Sequence, residues 1–195
     1  MPQDLAFEQE QTELLCALEG REQKLHTGRY LETLAVCRGV SERMIDYDVL
    51  LFHGSAVAVD GEAYLFGAPS GTGKSTHARL WRRLFGQRAV MINDDKPFLK
   101  CAENEIIVYG NPWDGKHHLS ANTSAPLKAV CILKQDAVNH IEAVSAREIL
   151  PDLLMQCYRP DDPGRVEKSL ELIGRICSHA QLYRLGCNTD PAAAA

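Results

Sequence analysis

The chain has 195 residues, of which 45% are hydrophobic and 24% are charged. These values are ordinary for a globular domain and exclude a disordered chain, and no apolar run approaches the roughly 20 residues of a membrane-spanning helix. Because 26 acidic residues outnumber 21 basic ones, the net charge of −5 disfavours a general nucleic-acid binder.

Cysteine usage and the first residues both indicate a reducing compartment. The cysteines number seven and include no Cys-x-x-Cys pair, so we expect free buried thiols rather than disulfides or a zinc site. Residues 1–4 lack the basic and then apolar pattern of a secretion signal. The sequence therefore predicts a cytoplasmic protein that binds neither membranes nor nucleic acids.

The first quarter of the chain is predicted to be helical. Apolar residues recur at helical spacing over residues 8–19 and again over residues 29–46. The expected organisation is a helical segment over 1–48 packed on the core, a core domain over 49–190 and a frayed tail over 191–195.

Strands and helices alternate from residue 49 onward. The runs Val49–Val59 and Glu62–Phe66 are typical of strands, and the Asp60-Gly61 pair between them favours a type I′ hairpin turn, in which both positions need a positive φ. Further strands are predicted at 89–92, 105–109, 127–133, 140–144 and 182–187, and helices at 74–85, 145–158 and 165–179. This pattern indicates one α/β domain.

The most specific motif is a glycine-rich loop over residues 66–76, FGAPSGTGKST, which follows a predicted strand and opens a predicted helix, as a P-loop requires. Gly71 and Gly73 permit a positive φ and a close approach of backbone N–H groups to phosphate oxygens. Lys74 would neutralise phosphate charge, and the Ser75 hydroxyl would coordinate Mg²⁺. The alternative is a glycine-rich turn with an exposed lysine. The predicted phosphate-binding residues are Ser70, Gly71, Thr72, Gly73, Lys74, Ser75 and Thr76.

Two carboxylates end the next predicted strand, where the apolar run 89–92 is followed by Asn93-Asp94-Asp95. A carboxylate at the C-terminal edge of a strand beside a P-loop is placed for metal ligation, and a second one can accept a proton from an attacking hydroxyl. An ordinary Asn-Asp-Asp turn is the alternative.

Other polar positions have a structural and a functional interpretation. His53 lies in an apolar strand, where a histidine is usually a satisfied core or edge residue. Lys116 either reaches a phosphate or belongs to an exposed loop. Arg79, Arg82 and Arg83 lie on the polar side of the helix after the P-loop, where a solvated face explains them.

Together these residues resemble a known group of P-loop proteins. The run His53-Gly54-Ser55, the Asp60-Gly61 hairpin, the loop over 67–76 and Asn93-Asp94-Asp95 look like the HPr kinase/phosphorylase catalytic domain and the nucleotide half of ATP-dependent phosphoenolpyruvate carboxykinase. The stretch 111–116, NPWDGK, is similar to a Pro-Trp-x-Gly-Lys segment of the carboxykinases. The whole chain is most similar to small bacterial HPr-kinase-related proteins that accompany peptide-modification genes.

The resemblance implies a P-loop α/β domain with a mixed sheet, an antiparallel hairpin before the P-loop and an N-terminal helical part. It also implies an ATP- and Mg²⁺-dependent kinase whose acceptor is a Ser hydroxyl of a peptide or protein. Lys74 and Ser75 would bind phosphate and Mg²⁺, Asp94 would be the catalytic base, Asp95 the metal-binding acid, and His53 would lie near the transferred phosphate. Kinases of this type assemble, so a homo-oligomer is among the expectations.

Two other functions stay open at this point. A nucleotide-binding accessory protein would use ATP occupancy to grip a partner, such as part of a peptide, without any phosphotransfer of its own. Carboxykinase-type activity on oxaloacetate is a more remote alternative.

Overall fold

The computed structural model of the protein describes residues 6–11, 13, 28–115 and 117–194. The chain divides into two compact units, Met1–Arg43 and Met44–Ala195. Within the described residues, no helix has both the length and the apolar character needed to cross a membrane.

The first unit is helical where it is described. Residues 8–11 and 13 of the helix predicted over 8–19 are helical, and its other residues lie outside the described ranges. Helix α1 spans Gly28–Met44, two residues shorter at its end than predicted, and a 3-10 turn follows it. An ion pair joins Arg38 of α1 to Glu8.

The second unit is built on a mixed sheet, to which the described residues contribute nine strands. These are β1 Val49–Leu51, β2 Gly54–Val59, β3 Glu62–Gly67, β4 Ala89–Asn93, β5 Phe98–Cys101, β6 Ile106–Tyr109, β7 Ser124–Gln135, β8 His140–Ala143 and β9 Gln181–Cys187. The helices of this unit are α2 Lys74–Phe85, α3 Ala146–Gln156 and α4 Pro163–His179. The α/β class with a mixed sheet, predicted from the sequence, is therefore confirmed.

The central sheet has the order β4-β2-β3-β7-β9-β8, and a branch β6-β5-β1 leaves it at β7. Strands β3, β7 and β9 are parallel, whereas the other pairings are antiparallel. The 12 residues of β7 make the branch possible, because its first residues pair with β6 and the rest pair with β3 and β9.

Helices cover both faces of the central sheet. Helix α2 buries Ala78 and Leu80 in one cluster, together with Phe66 of β3. Helices α3 and α4 bury their apolar residues in a second cluster, which contains Leu65. Because successive residues of a strand point to opposite faces, the neighbours Leu65 and Phe66 belong to different layers. The unit is thus a three-layer α/β/α structure with β3 near its centre.

Local sequence signals account for the turn and the cap that were predicted. Asp60 and Gly61 have φ values of 53° and 84°, and β2 pairs with β3 on either side of them, so the type I′ hairpin is confirmed. Ser145 and Glu148 form a reciprocal capping box at the start of α3, which fixes where that helix begins.

The structure differs from the sequence-based prediction at two strands. The predicted strand Val49–Val59 is two strands, because the chain leaves the branch at Phe52 and enters the central sheet at Gly54. Strand β5, which pairs with β1 and β6, was not predicted. It has only four residues, and too few positions alternate to give a clear period.

Two other expectations concern the cysteines and the last residues of the chain. The six described cysteines are free, as predicted, while Cys16 lies outside the described ranges. Residues predicted as a frayed tail form a short 3-10 helix, Pro191–Ala194, in which Ala193 and Ala194 are buried in the cluster beneath α2. Their methyl side chains are small enough to allow this close packing; Ala195 is not described.

Candidate functional site

Three segments meet at one edge of the central sheet. Strand β2 is antiparallel to both β3 and β4, with Gly54 opposite Gly67 and Ala56 opposite Asn93. The ends of β3 and β4 therefore lie beside the start of β2. This pairing brings the P-loop, the Asp94-Asp95 pair and His53 to the same edge.

The predicted P-loop has, at two of its glycines, the backbone conformation that these residues were expected to supply. Gly71 has a φ of 83° and Gly73 a φ of 118°, in the region that residues with a Cβ rarely adopt. Gly73 is the N-cap residue of α2 and has no side chain that could accept hydrogen bonds from the amides of the first turn. The helix N-terminus that follows the loop is therefore suited to an anionic ligand.

Carbonyl groups of the loop hold the Lys74 ammonium group. Lys74 Nζ donates to the carbonyl of Ala68 at 2.6 Å and to that of Pro69 at 3.4 Å. The Gln135 side chain, at the end of β7, donates to the carbonyl of Thr72 at 3.3 Å. The lysine thus folds back over the loop, and β7 supports the loop from the other side.

Gln156, the last residue of α3, links the loop to the start of β2. Its backbone carbonyl accepts a hydrogen bond of 2.6 Å from the backbone amide of His53. Its side-chain amide is oriented with the nitrogen toward the two nearest oxygens. In this orientation the nitrogen donates to the carbonyls of His53 and Ala68 at 2.9 and 3.0 Å. A buried amide from a distant helix therefore fixes two segments of the site.

Asp94 is a buried carboxylate with a dedicated donor. Its exposed fraction is 5%, and the Ser55 hydroxyl, which is completely buried in β2, donates to Oδ1 at 2.8 Å. The pairing of β2 with β4 places these two residues side by side, so the hydroxyl fixes the orientation of the carboxylate.

Asp95 lies between two basic side chains. Its carboxylate forms an ion pair with Lys96, and Oδ1 is 3.7 Å from Nε2 of His53, beyond hydrogen-bond distance. Burial, followed by the positive charge of Lys74, lowers the pKa of His53 to about 4, although Asp95 opposes this shift. The imidazole of His53 is therefore neutral at pH 7.

Asn93 organises the acidic turn and joins it to a second loop. Its Oδ1 accepts hydrogen bonds from the amides of Asp95 at 2.9 Å and Lys96 at 2.7 Å, an arrangement that closes the turn. Its Nδ2 donates to the carbonyl of Asn111 at 3.2 Å. The polar run that starts at Asn111 is thereby held against the acidic turn.

Cavities lie on both sides of the predicted P-loop, and two of them contain residues of the first turn of α2. The first, of ≈ 270 Å³, lies toward β4 and is lined by residues that include Ser75, Arg79, Arg82, Asp94 and His117. The second, of ≈ 410 Å³, lies toward β7 and β9 and is lined by residues that include Thr72, Gly73, Thr76, Gln135, Asp136 and Asn188. Because β4 and β7 stand on opposite sides of β3 in the sheet, the cavities open on opposite sides of the loop.

The structure brings the predicted residues of the loop, His53, Asp94 and Asp95 to one edge, while Lys116 lies outside the described ranges. Sequence reasoning gave no site role to Ser55, Asn93 or Gln156. It predicted a solvated face for Arg79 and Arg82; Arg79 is exposed, as predicted, but both arginines also line the first cavity. A signal for the two arginines did exist, because residues 75, 79 and 82 follow the i, i+4, i+7 spacing of one helix face.

Comparisons with protein-family models and with curated proteins give no match. Among solved structures, the chain is similar to the HPr(Ser) kinase/phosphatase from Coxiella burnetii. The two are 16% identical, the match covers 63% of this chain and 86% of that chain, and the TM-score is 0.34. This likeness is remote and concerns the fold alone, so any function must be argued from the geometry of the site.

Proposed function

We propose that this protein is an ATP- and Mg²⁺-dependent phosphotransferase of the HPr-kinase-like class, acting on a hydroxyl group, a Ser of a peptide or protein. One observation carries the proposal: a buried carboxylate, Asp94, oriented by Ser55, lines the same cavity as Ser75 of the P-loop. A phosphate-binding loop and a candidate proton acceptor thus face one space, which phosphoryl transfer to a hydroxyl requires.

The loop would hold the phosphates of the nucleotide. Positive φ angles at Gly71 and Gly73 turn the backbone so that amides of the loop and of the first turn of α2 can converge on phosphate oxygens. Lys74 would exchange its loop carbonyls for a phosphate oxygen, a stronger charge-assisted partner. The nucleoside would occupy the ≈ 410 Å³ cavity on the β7 side of the loop.

The residues present fit a magnesium ion. Mg²⁺ prefers oxygen ligands and is usually held by one or two carboxylates together with substrate phosphates, and this edge offers the Ser75 hydroxyl and the Asp95 carboxylate. Bound Mg²⁺ would neutralise charge on the phosphate oxygens. Asp95 would have to release Lys96, its partner in this structure, to serve as a ligand.

Asp94 would accept the proton of the acceptor hydroxyl. The acceptor oxygen forms a bond to the γ-phosphorus, the bond from that phosphorus to the β–γ bridging oxygen breaks, ADP leaves, and the proton goes to the carboxylate. Ser55 occupies Oδ1 of Asp94, and the other carboxylate oxygen can take this proton. His53, neutral and 3.7 Å from Asp95, would contact the phosphate as an uncharged donor.

Transfer of labelled γ-phosphate from ATP to serine-containing peptides tests the proposal. We expect Asp94→Asn to reduce transfer by about 10²–10⁴-fold, the usual contribution of a positioned base, with little change in ATP affinity. Asp161→Asn, in an exposed loop, is the matched control and should leave transfer unchanged. Full transfer by Asp94→Asn would remove Asp94 from this role.

The alternative is a nucleotide-binding accessory protein without phosphotransfer. It is favoured by two contacts in this structure, the ion pair of Lys96 with Asp95 and the hydrogen bond that Lys74 donates to a loop carbonyl. In that case ATP would bind, no labelled phosphate would move, and Asp94→Asn would behave as the wild type.

A further inference from the structure

Helix α2 presents two arginines to the cavity that contains Asp94. Ser75, Arg79 and Arg82 lie on one face of the helix and all three line the ≈ 270 Å³ cavity. Arg83, the next residue, is exposed and is not among the residues that line the cavity. Arg79, which is exposed, and Arg82, which is half-buried, therefore both belong to the wall of a cavity that opens to solvent, whereas Arg83 does not line it.

Neither guanidinium in this wall forms an ion pair or a side-chain hydrogen bond with another residue in the described part of the chain. This distinguishes them from several other arginines, each of which pairs with a carboxylate: Arg88, Arg165, Arg175 and Arg184. Among the described residues, the acidic and basic side chains of the Asp, Glu, Lys and Arg types that line the cavity are those of Arg79, Arg82 and Asp94. Two cations and one carboxylate leave the wall with an excess positive charge that attracts an anion.

The position of the arginines separates this anion from the nucleotide. An α-helix rises 1.5 Å per residue, so the Arg79 and Arg82 backbones stand about 6 and 10 Å along the axis from Ser75. In the proposed function, the nucleoside occupies the other cavity, on the opposite side of the loop. An anion held by both arginines would thus lie beyond the point of transfer, on the side from which an acceptor approaches Asp94.

We propose that the acceptor is an acidic peptide, with a carboxylate or a phosphate close to the hydroxyl that receives the phosphoryl group. Arg79 and Arg82 bind this anion through their guanidinium forks, and the neighbouring hydroxyl is thereby placed at Asp94. The inference rests on the proposed phosphotransferase function and adds the class of acceptor to it. Arg79 and Arg82 act as specificity-determining residues.

The test compares three serine peptides that are identical except beside the serine, where they carry Glu, phosphothreonine or Gln. Transfer of labelled phosphate from Mg-ATP is measured for the wild type, Arg79→Ala, Arg82→Ala and the control Arg83→Ala, and ATP affinity is measured for each. The Glu and phosphothreonine peptides distinguish a carboxylate from a phosphate as the recognised anion.

We expect the wild type to prefer at least one anionic peptide to the Gln peptide by about tenfold or more, the worth of a charge-assisted hydrogen bond. Arg79→Ala and Arg82→Ala should abolish that preference with unchanged ATP affinity, and Arg83→Ala should retain it. Equal transfer to all three peptides by the wild type overturns this inference and leaves the phosphotransferase intact. Weakened ATP binding in Arg79→Ala and Arg82→Ala also overturns it, by assigning the arginines to the nucleotide. Absence of ATP binding in the wild type overturns the proposed function itself.

Discussion

The hydroxyl of Ser55 donates a hydrogen bond of 2.8 Å to Oδ1 of Asp94, across 39 residues of sequence. Both side chains are buried, and the antiparallel pairing of β2 with β4 brings them together. The Asp94 carboxylate cannot rotate without breaking this hydrogen bond. The hydroxyl therefore acts on the site through Asp94, as a positioning residue.

Ser55→Ala should lower phosphoryl transfer by about 10–100-fold, the usual effect of removing a hydrogen-bonding partner of a functional side chain. ATP affinity should stay close to the wild-type value, because the P-loop is unchanged. Ser169→Ala removes another buried hydroxyl, which bonds the Val166 carbonyl in α4, and provides the stability control. If the two variants have the same transfer rate, Ser55 has no positioning role.

Asn93→Asp should destabilise the protein by about 1–3 kcal/mol, because the donor Nδ2 is replaced by an oxygen that faces the Asn111 carbonyl. Asn93 is completely buried, so the new carboxylate would also carry a desolvation penalty. Urea unfolding measures the difference, with Asn104→Asp at an exposed position as the control. Equal unfolding free energies for both variants would show that Asn93 does not hold the two loops together.

The pKa of His53 should rise when Lys74 is replaced by Ala. The Lys74 ammonium disfavours the imidazolium form, and with burial it lowers the pKa of His53 to about 4. Removal of the ammonium should move the pKa upward, while burial keeps it below 6.5. An NMR titration of the His53 ring reports this shift, and Lys134→Ala, an exposed position on β7, should leave it unchanged. An unchanged pKa in Lys74→Ala would place the two side chains further apart than the structure does.

His77 should make the stability of the protein depend on pH. Its exposed fraction is 3%, neither ring nitrogen has a hydrogen-bond partner among the described residues, and burial lowers its pKa from 6.5 to about 4. Between these values the unfolded chain binds a proton that the folded chain does not. The free energy of unfolding therefore rises with pH through this window. The stability gained in this way is lost again as the pH falls through the same window.

His77→Phe should flatten this dependence by up to about 1.4 kcal/mol per pH unit, since one proton is removed from the difference. The slope does not vanish, because His53 titrates in the same window. Thermal unfolding at pH 4.5 and 7 measures it, and His179→Leu, at an exposed position, is the control. A slope equal to that of the wild type would show that His77 has the same pKa in the folded and the unfolded chain.

Local signals made part of the site predictable. The glycine-rich loop could be placed between a strand and a helix because these elements are consecutive in the chain, and the Asp60-Gly61 turn was predictable because two adjacent residues decide it. Asp94 and Asp95 could be placed at a strand end for the same reason. Each of these features is set by a few neighbouring residues.

The parts that escaped prediction depend on distant residues. Gln156 reaches the loop from α3, and no pattern near position 156 indicates which carbonyls it meets. Helical spacing predicted a solvated face for Arg79 and Arg82, and Arg79 is exposed, but spacing alone does not show that both arginines also line a cavity. Strand β5 is defined mainly by pairing with β1 and β6, since its four residues carry little periodicity of their own.

The central claim is that this loop is a working nucleotide site, and calorimetric titration of Mg-ATP into the wild type and into Lys74→Ala tests it most directly. The account predicts saturable binding to the wild type that weakens by about tenfold or more in Lys74→Ala, because a charge-assisted contact to phosphate is lost. Arg147→Ala, which removes a positive charge at an exposed position of α3, should bind as the wild type does. A folded wild type that binds no Mg-ATP, or a Lys74→Ala variant that binds it equally well, would contradict the account.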